Sequence, residues 1–482
     1  MHAESSISTP ERVTPVVSAP ASPTLDPAAA IPLADWTSLA LRAGRVGPIL
    51  PHMAWLLRFP DAVSQEELEQ EARRLASTPY GFGRRVAPPR LPGGRPRWVP
   101  APEPPPVEVA STPAIGPAGL ATWLDRQLGV PLDPEHDAGW RIAATPTDDG
   151  GTAVLVSCHH LFGTGGGIVR ALYGDDVDDP TAGTTETPFT DASSFTTWEE
   201  ARGLAERFRL GLRGAAQVPR ELAAGLRKLR RRDVPAADPA PLKPPRGRDR
   251  TRREPSNLRV AAIASVDAAA WDQAAAQRGG TGNTLLAAVA ANLLRRARIA
   301  RGGRADRTLR LLLPIDLRDR DLAESAALTS GPSAQMTTAA VILPGGGPEH
   351  GDLRELRARM KAAFVADTGT APVVRGAGDV MRLLPEAVTF QFAAHAAKQF
   401  DGCASNVGPV PERMLHVGPH RATDATMLGF PIGNEALTAL IRHGDRVAVS
   451  VVTDPLRLGP AADLREWLAE ELEAWGLTDV VW

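Results

Sequence analysis

The sequence predicts a mixed α/β protein built as two domains, and three observations carry that reading. The chain has 482 residues, too long for one ordinary core, so a division into domains of about 200 residues each is expected. Apolar runs of strand length alternate with helical periodicity on both sides of the middle. Between the two sides, residues 233–256 are rich in Pro and Arg and poor in apolar side chains, the composition of a linker.

Residues 1–30 are rich in Ala, Ser, Pro and Thr and cannot bury enough surface to offset ordering, so a disordered tail is expected there. A first lobe is expected over 31–232. Met53–Phe59 reads as a strand. Ser64-Gln65-Glu66-Glu67 reads as a capping box, and Leu68, Ala72 and Leu75 fall on one face of the helix it opens. Arg97-Trp98-Val99 sits within a proline-rich stretch over 88–106, and a second helix is expected over Gly119–Leu128. Trp140–Ala143 and the strand ending at His159-His160 are joined through Asp148-Asp149-Gly150-Gly151 and read as a hairpin. Ile168–Tyr173 starts a further helix, and 198–231 is strongly helical.

The second lobe, over 257–482, opens with a strand at Leu258–Ile263. Helices over Asp267–Arg278 and Thr284–Arg298 follow, the latter apolar enough to be central. Strands are expected at Leu309–Pro314, Met336–Leu343 and Val447–Val452, and helices at Leu353–Ala366, 388–398 and Ala461–Trp475. Each half is expected to build its own sheet.

A net charge of −2 gives no global field for nucleic acid. Two cysteines, Cys158 and Cys403, set up neither a disulfide framework nor a metal cluster, and they fit a reducing cytosol. The sequence holds no run of about 18 apolar residues that would span a membrane. Nor is there a basic stretch followed by an apolar one at the N-terminus, so no secretory signal is expected. The basic run at 227–253 has the charge to touch phosphates or an anionic membrane surface; the plainer reading is a solvated linker.

The stretch with the most chemistry is Cys158-His159-His160-Leu161-Phe162-Gly163-Thr164-Gly165-Gly166-Gly167, which follows the apolar run Ala153–Val156. On a strand, neighbours point to opposite faces, so His159 and His160 cannot share a role. His160 falls on the face of Val154, Val156 and Cys158; His159 falls on that of Ala153, Leu155 and Ser157. An imidazole at the end of a buried strand, beside a glycine turn, suits a general base; the plain alternative is a satisfied buried histidine. Backbone N–H groups near Gly165 and Gly166 suit a developing oxyanion, or the glycines simply make a tight turn. Cys158 and His160 would lie about 6 to 7 Å apart along one face, too far for a dyad. His416, His420 and His443 lack metal-ligand spacing, and no metal is expected.

Several landmarks stand together in order. His159-His160-x-x-x-Thr164-Gly165 resembles the HHxxxDG motif of the condensation-domain and chloramphenicol-acetyltransferase-like superfamily. Its wax ester synthase/diacylglycerol acyltransferase branch is the nearest likeness. Pro131-Leu132-Asp133 with Trp140 resembles the branch's "PLD…PLW" stretch, and Gly282–Val289 its "VNDVVLAAV" helix. Leu313–Arg318 resembles its "VPVSLR" strand end, and Ser405-Asn406-Val407-Gly408-Pro409 its "SNVPGP" loop. The likeness covers nearly all of 31–482.

The resemblance implies two acetyltransferase-like lobes in a V-shaped pseudo-dimer with a tunnel between them. His160, matching the motif's second histidine, would act as base on an alcohol or amine acceptor. The acyl donor would be a thioester, of coenzyme A or of carrier-protein phosphopantetheine, bound as substrate; no permanently held cofactor is implied. His159 would hydrogen-bond structurally, and Gly166, Asn283, Ser405 and Asn406 would line or close the tunnel.

The sequence departs from the motif at Thr164, where relatives carry an aspartate that pairs with an arginine from the other half. By position that arginine is Arg318. Thr164 can only hydrogen-bond weakly to the turn backbone, and a buried charge left unpaired costs several kcal/mol, so Arg318 is expected to be solvated or re-paired. Asn283-Thr284 likewise stands where the branch has Asn-Asp. The functional readings are therefore an acyltransferase; a stand-alone condensation enzyme of a natural-product pathway, fed by a carrier protein; a binding or scaffold protein that kept the fold without the chemistry; and a cyclase or isomerase using the same cavity.

Overall fold

The computed structural model describes residues 52–78, 81–91, 94, 96–101, 103–111, 113–163, 165–174, 197–198, 200–205, 208–209, 258–316, 336–365, 400–431, 434–458 and 461–478. The expected tail, the linker with its basic run, the helix beyond 209, the helix over 388–398, Thr164 and Arg318 lie outside these residues.

The first part contributes strands β1 (His52–Phe59), β2 (Arg84–Ala87), β3 (Arg97–Pro100), β4 (Glu108–Val109), β5 (Trp140–Pro146) and β6 (Thr152–His159). Its helices are α1 (Gln65–Ala76), α2 (Pro117–Leu128) and α3 (Gly165–Tyr173). The second part contributes β7 (Val260–Asp267), β8 (Leu309–Asp316), β9 (Met336–Leu343), β10 (Gly402–Pro409), β11 (His416–Val417), β12 (His420–Arg421), β13 (Asp424–Gly429), β14 (Ala436–His443) and β15 (Arg446–Thr453). Its helices include α4 (Ala268–Gln277), α5 (Gly282–Ala300), α6 (354–365) and α7 (Ala461–Ala474). No helix among the described residues is long and apolar enough to cross a membrane.

One sheet runs β13-β1-β6-β5-β4 and the other β7-β15-β14-β10-β8-β9. In the first, β1 and β6 are covered on both faces, which is why each reads as a near-continuous apolar run. Trp55, Leu57, Val154, Val156 and Cys158 face a core shared with α1 and α3. Ala54, Leu56, Ala153 and Leu155 face α2 and the second sheet. The Ser64 capping box forms as expected, Ser64 Oγ accepting from Glu67 N–H at 3.2 Å and Ser64 N–H donating to the Glu67 carboxylate at 2.8 Å. The expected hairpin is β5–β6, from Trp140 opposite Cys158 to Pro146 opposite Thr152.

The first sheet is not made by the first half alone. Its edge strand β13 comes from the far end of the chain and pairs antiparallel with β1, from Met53–Gly429 to Arg58–Asp424. The same strand touches the second sheet, where Ser450 Oγ donates to the Met427 carbonyl at 2.5 Å. The expectation of a separate sheet in each half is corrected here: six residues at 424–429 are too short to announce which edge they will cover, and sheet membership is a long-range property.

The second sheet is backed by α5, buried along most of its length between the strands and α7. A helix apolar on all sides is a central one. Ser405–Pro409, expected as a loop, is the end of the parallel strand β10 between β14 and β8. A bulge between Asn406 and Gly408, with Gly408 at φ +85°, ends its regular pairing.

Candidate functional site

The site forms where β6 ends. His159 is the last residue of the strand and is 1% exposed. It lies directly across from His52 on β1, with ring centroids 6.1 Å apart. Its Nδ1 accepts the Leu161 N–H at 3.2 Å and so caps a short 3-10 turn over His160–Phe162. An accepting Nδ1 leaves the proton on Nε2. His160 opens that turn. It is therefore not on the strand, and the expectation that it shares a face with Val154, Val156 and Cys158 is corrected: strand alternation stops at His159 because the backbone coils into the turn.

His160 is half-buried. Burial lowers its pKa from the ordinary 6.5, and a hydrogen bond to its own backbone works in the opposite direction. Cys158 is fully buried, and burial pushes its thiol above the ordinary range; burial likewise raises Cys403, to about 12. Neither thiol ionises near neutrality. Among the described residues no cluster of His, Cys, Asp or Glu could hold a metal ion.

The glycines after the turn are not a loop. Gly165 to Gly167 form the first turn of α3, where backbone N–H groups turn to acceptors outside the helix. A Cβ on Gly165 would lie 3.2 Å from both Met427 Sδ and Val407 Cγ2, tighter than an unshifted side chain normally sits. Gly165 thus lets β13 and β10 approach the histidine turn. Through Val407 this contact brings in the Ser405–Gly408 stretch. Asn406 is held in turn: its Nδ2 bonds to Asn283 Oδ1 at the start of α5, and its Oδ1 accepts from Gly408 N–H at 2.8 Å. Four stretches distant in sequence therefore converge, namely 159–166, 283, 405–408 and 427.

Two neighbours carried no sequence signal of their role. His52 is 3% exposed and its pKa is pushed down to about 3, by burial first and then by the Arg259 and Arg141 guanidiniums. Only the β1–β6 register reveals that it backs His159. Arg84 is 1% exposed; its Nη2 donates to the Phe162 carbonyl at 2.7 Å and its Nε to the Gly81 carbonyl at 3.2 Å. Its guanidinium carbon sits 4.1 Å from the centroid of the Trp98 ring, a cation–π contact. The turn that carries His160 is thereby clamped from beneath.

The buried histidines give the fold a pH dependence. The unfolded chain takes up protons at His52 and His159 near 6.5, whereas burial keeps the folded ones neutral well below that. Stability is therefore complete above pH 6.5 and is lost as pH falls toward about 3. The urea midpoint should drop across that window, and His52→Gln should flatten the drop; an unchanged profile in the variant would remove His52 from this role.

The mixed α/β architecture, two sheets laced by β13, is the two-lobed fold also seen in solved condensation domains and a wax ester synthase. Among solved structures the chain is similar to the wax ester synthase/diacylglycerol acyltransferase from Marinobacter aquaeolei VT8, with a TM-score of 0.57 and 14% identity over 92% of this chain and 98% of that one. It is also similar to the first condensation domain of the calcium-dependent antibiotic synthetase, solved with a substrate analogue (TM-score 0.53, 14% identity, 93% and 96% covered). The condensation domain of the monacolin K polyketide synthase MokA gives a TM-score of 0.51 at 12% identity, with 93% and 96% covered. At such identities the likeness is one of fold, the fold the sequence landmarks pointed to. No protein-family model matches the sequence, and no curated protein matches it.

Proposed function

We propose that the chain transfers an acyl group from a thioester to an alcohol or amine, with His160 as general base. The observation that carries this reading is the position of His160: half-buried at the start of the turn that ends β6, close to where β13 and β10 approach Gly165, with burial lowering its pKa from 6.5. In the tautomer with its proton on Nδ1, the imidazole offers its Nε2 lone pair to take a proton.

The acceptor O–H or N–H gives its proton to Nε2 as the heteroatom attacks the thioester carbonyl. The tetrahedral oxyanion is met by N–H groups of the first turn of α3 near Gly165 and Gly166, where the helix dipole also favours negative charge. Collapse breaks the C–S bond, and the imidazolium returns the proton to the departing thiolate. The products are an ester or amide and a free thiol. The donor is acyl-CoA or an acyl group on carrier-protein phosphopantetheine. The acceptor approaches from the other side of a passage between lobes spanning 31–232 and 257–482, with Ser405, Asn406 and Asn283 on its wall. The carrier-protein version has support of its own, since condensation domains are among the similar structures over nearly their full length.

The test is product analysis by intact mass with a panel of acyl-CoA and acyl-carrier-protein donors against alcohol and amine acceptors. Acyl transfer with any pair, lost in His160→Ala, is the expected result. No product across the panel would favour a binding protein that kept the fold without the chemistry.

A further inference from the structure

A cavity of about 330 Å³ lies in the second lobe, and none of its lining residues belongs to the histidine site. One stripe of α5 forms its floor: Ala288, Ala291, Asn292 and Arg295, at helical spacing. Leu343, Leu353, Leu356 and Trp475 supply apolar walls. Such a volume suits a small ligand.

Arg295 sets the chemistry. It is only 6% exposed. Of its five N–H groups, Nη1 reaches Asn292 Oδ1 at 3.4 Å and Nη2 the Pro344 carbonyl at 3.0 Å, while Nε is buried without an acceptor. No carboxylate pairs with it among the described residues. By contrast Arg298, one turn further along, is paired with Asp401 at 3.1 Å. The nearby buried carboxylate, Glu471, is already engaged. Its Oε1 accepts from Asn292 Nδ2 at 2.8 Å and Trp475 Nε1 at 2.7 Å, and its Oε2 is bonded to His350 Nε2 at 2.9 Å.

Asn292 is fixed as well, exchanging bonds with the Glu349 backbone at 2.8 and 3.0 Å. Its oxygen therefore stays turned to the guanidinium, and the wall is pre-organised. The acids at the rim limit the ligand's charge. Asp352 pairs with Arg354 at 3.3 Å and Glu355 with Arg359 at 2.6 Å, but Glu349 is exposed beside them and would repel a second negative charge.

We propose that this cavity is a second ligand site, for a monoanionic amphipath whose carboxylate meets Arg295 and whose small apolar body lies against Trp475 and the leucines. A carboxylate is the partner a guanidinium fork matches in geometry. The test is isothermal titration of the full chain with benzoate and with its neutral isostere benzamide, at fixed ionic strength. Benzoate should bind saturably and benzamide at least tenfold more weakly. Arg295→Met should weaken benzoate at least tenfold, and so should Leu356→Trp, which fills the mouth; His160→Ala should leave it unchanged. Should Arg295→Met fail to fold, Leu356→Trp decides alone. The proposal is overturned by absence of saturable benzoate binding to the wild type, by wild-type affinity in the folded variants, or by loss of binding in His160→Ala.

Discussion

His160→Ala should lower kcat/KM for acyl transfer by about 10²- to 10⁴-fold, the usual contribution of a positioned base, and shift the melting temperature by no more than a few degrees. The small stability effect follows from where the ring sits: half-buried at the first residue of a short turn, outside the apolar cores on either face of β6. The clamp on the turn runs through the Phe162 carbonyl and the His159 ring, and the variant touches neither. The pH profile separates a base from a bystander. Because burial lowers the His160 pKa, the imidazole is ready to accept a proton at neutral pH. The acid limb of kcat/KM should then fall below the ordinary histidine value of 6.5, and the residual rate of the variant should lack that limb. Wild-type turnover in His160→Ala, or an acid limb that survives the substitution, would remove the residue from the chemistry.

What could be read from the sequence follows the range of the forces involved. The Ser64 box, the apolar run of β6 and the apolar length of α5 are local patterns, and the structure keeps them. The end of β6 is different. Alternation places His160 on a strand face, but the backbone leaves the strand one residue earlier, and a two-residue pattern carries no signal for that. The same limit hid His52, which stands one residue before the strand read at Met53–Phe59 and shows no role until β1 is registered against β6. It hid β13 too, since nothing in Asp424–Gly429 says that it will lie beside residues more than 360 positions away in the chain. The landmarks Asn283 and Ser405-Asn406 were legible only as resemblance. That Asn406 bonds to Asn283 while Val407 packs against Gly165 is a matter of packing between lobes.

Phe82→Ala should destabilise the fold by about 3 to 5 kcal/mol, the usual cost of truncating a buried phenylalanine, and should also slow catalysis in the molecules that remain folded. Phe82 is 0% exposed; it stacks on Trp140 at 4.4 Å and on Trp55 at 6.0 Å, and it meets Phe162 edge-on at 5.2 Å. Phe162 is the last residue of the turn that His160 opens. Removing the ring leaves a void beneath that turn, which the close-packed aromatic cluster can only partly fill. The turn would then be held chiefly by Arg84. Loss of positioning should appear in kcat more than in KM, because the base is displaced relative to an acceptor that still binds. A double-mutant cycle distinguishes this from general loosening. If Phe82 acts through His160, Phe82→Ala should lower the rate in the wild-type background and leave the residual rate of His160→Ala unchanged, both measured well below the melting temperature of the double variant. An equal further loss in the His160→Ala background would mean that the aromatic cluster supports the reaction by some other route.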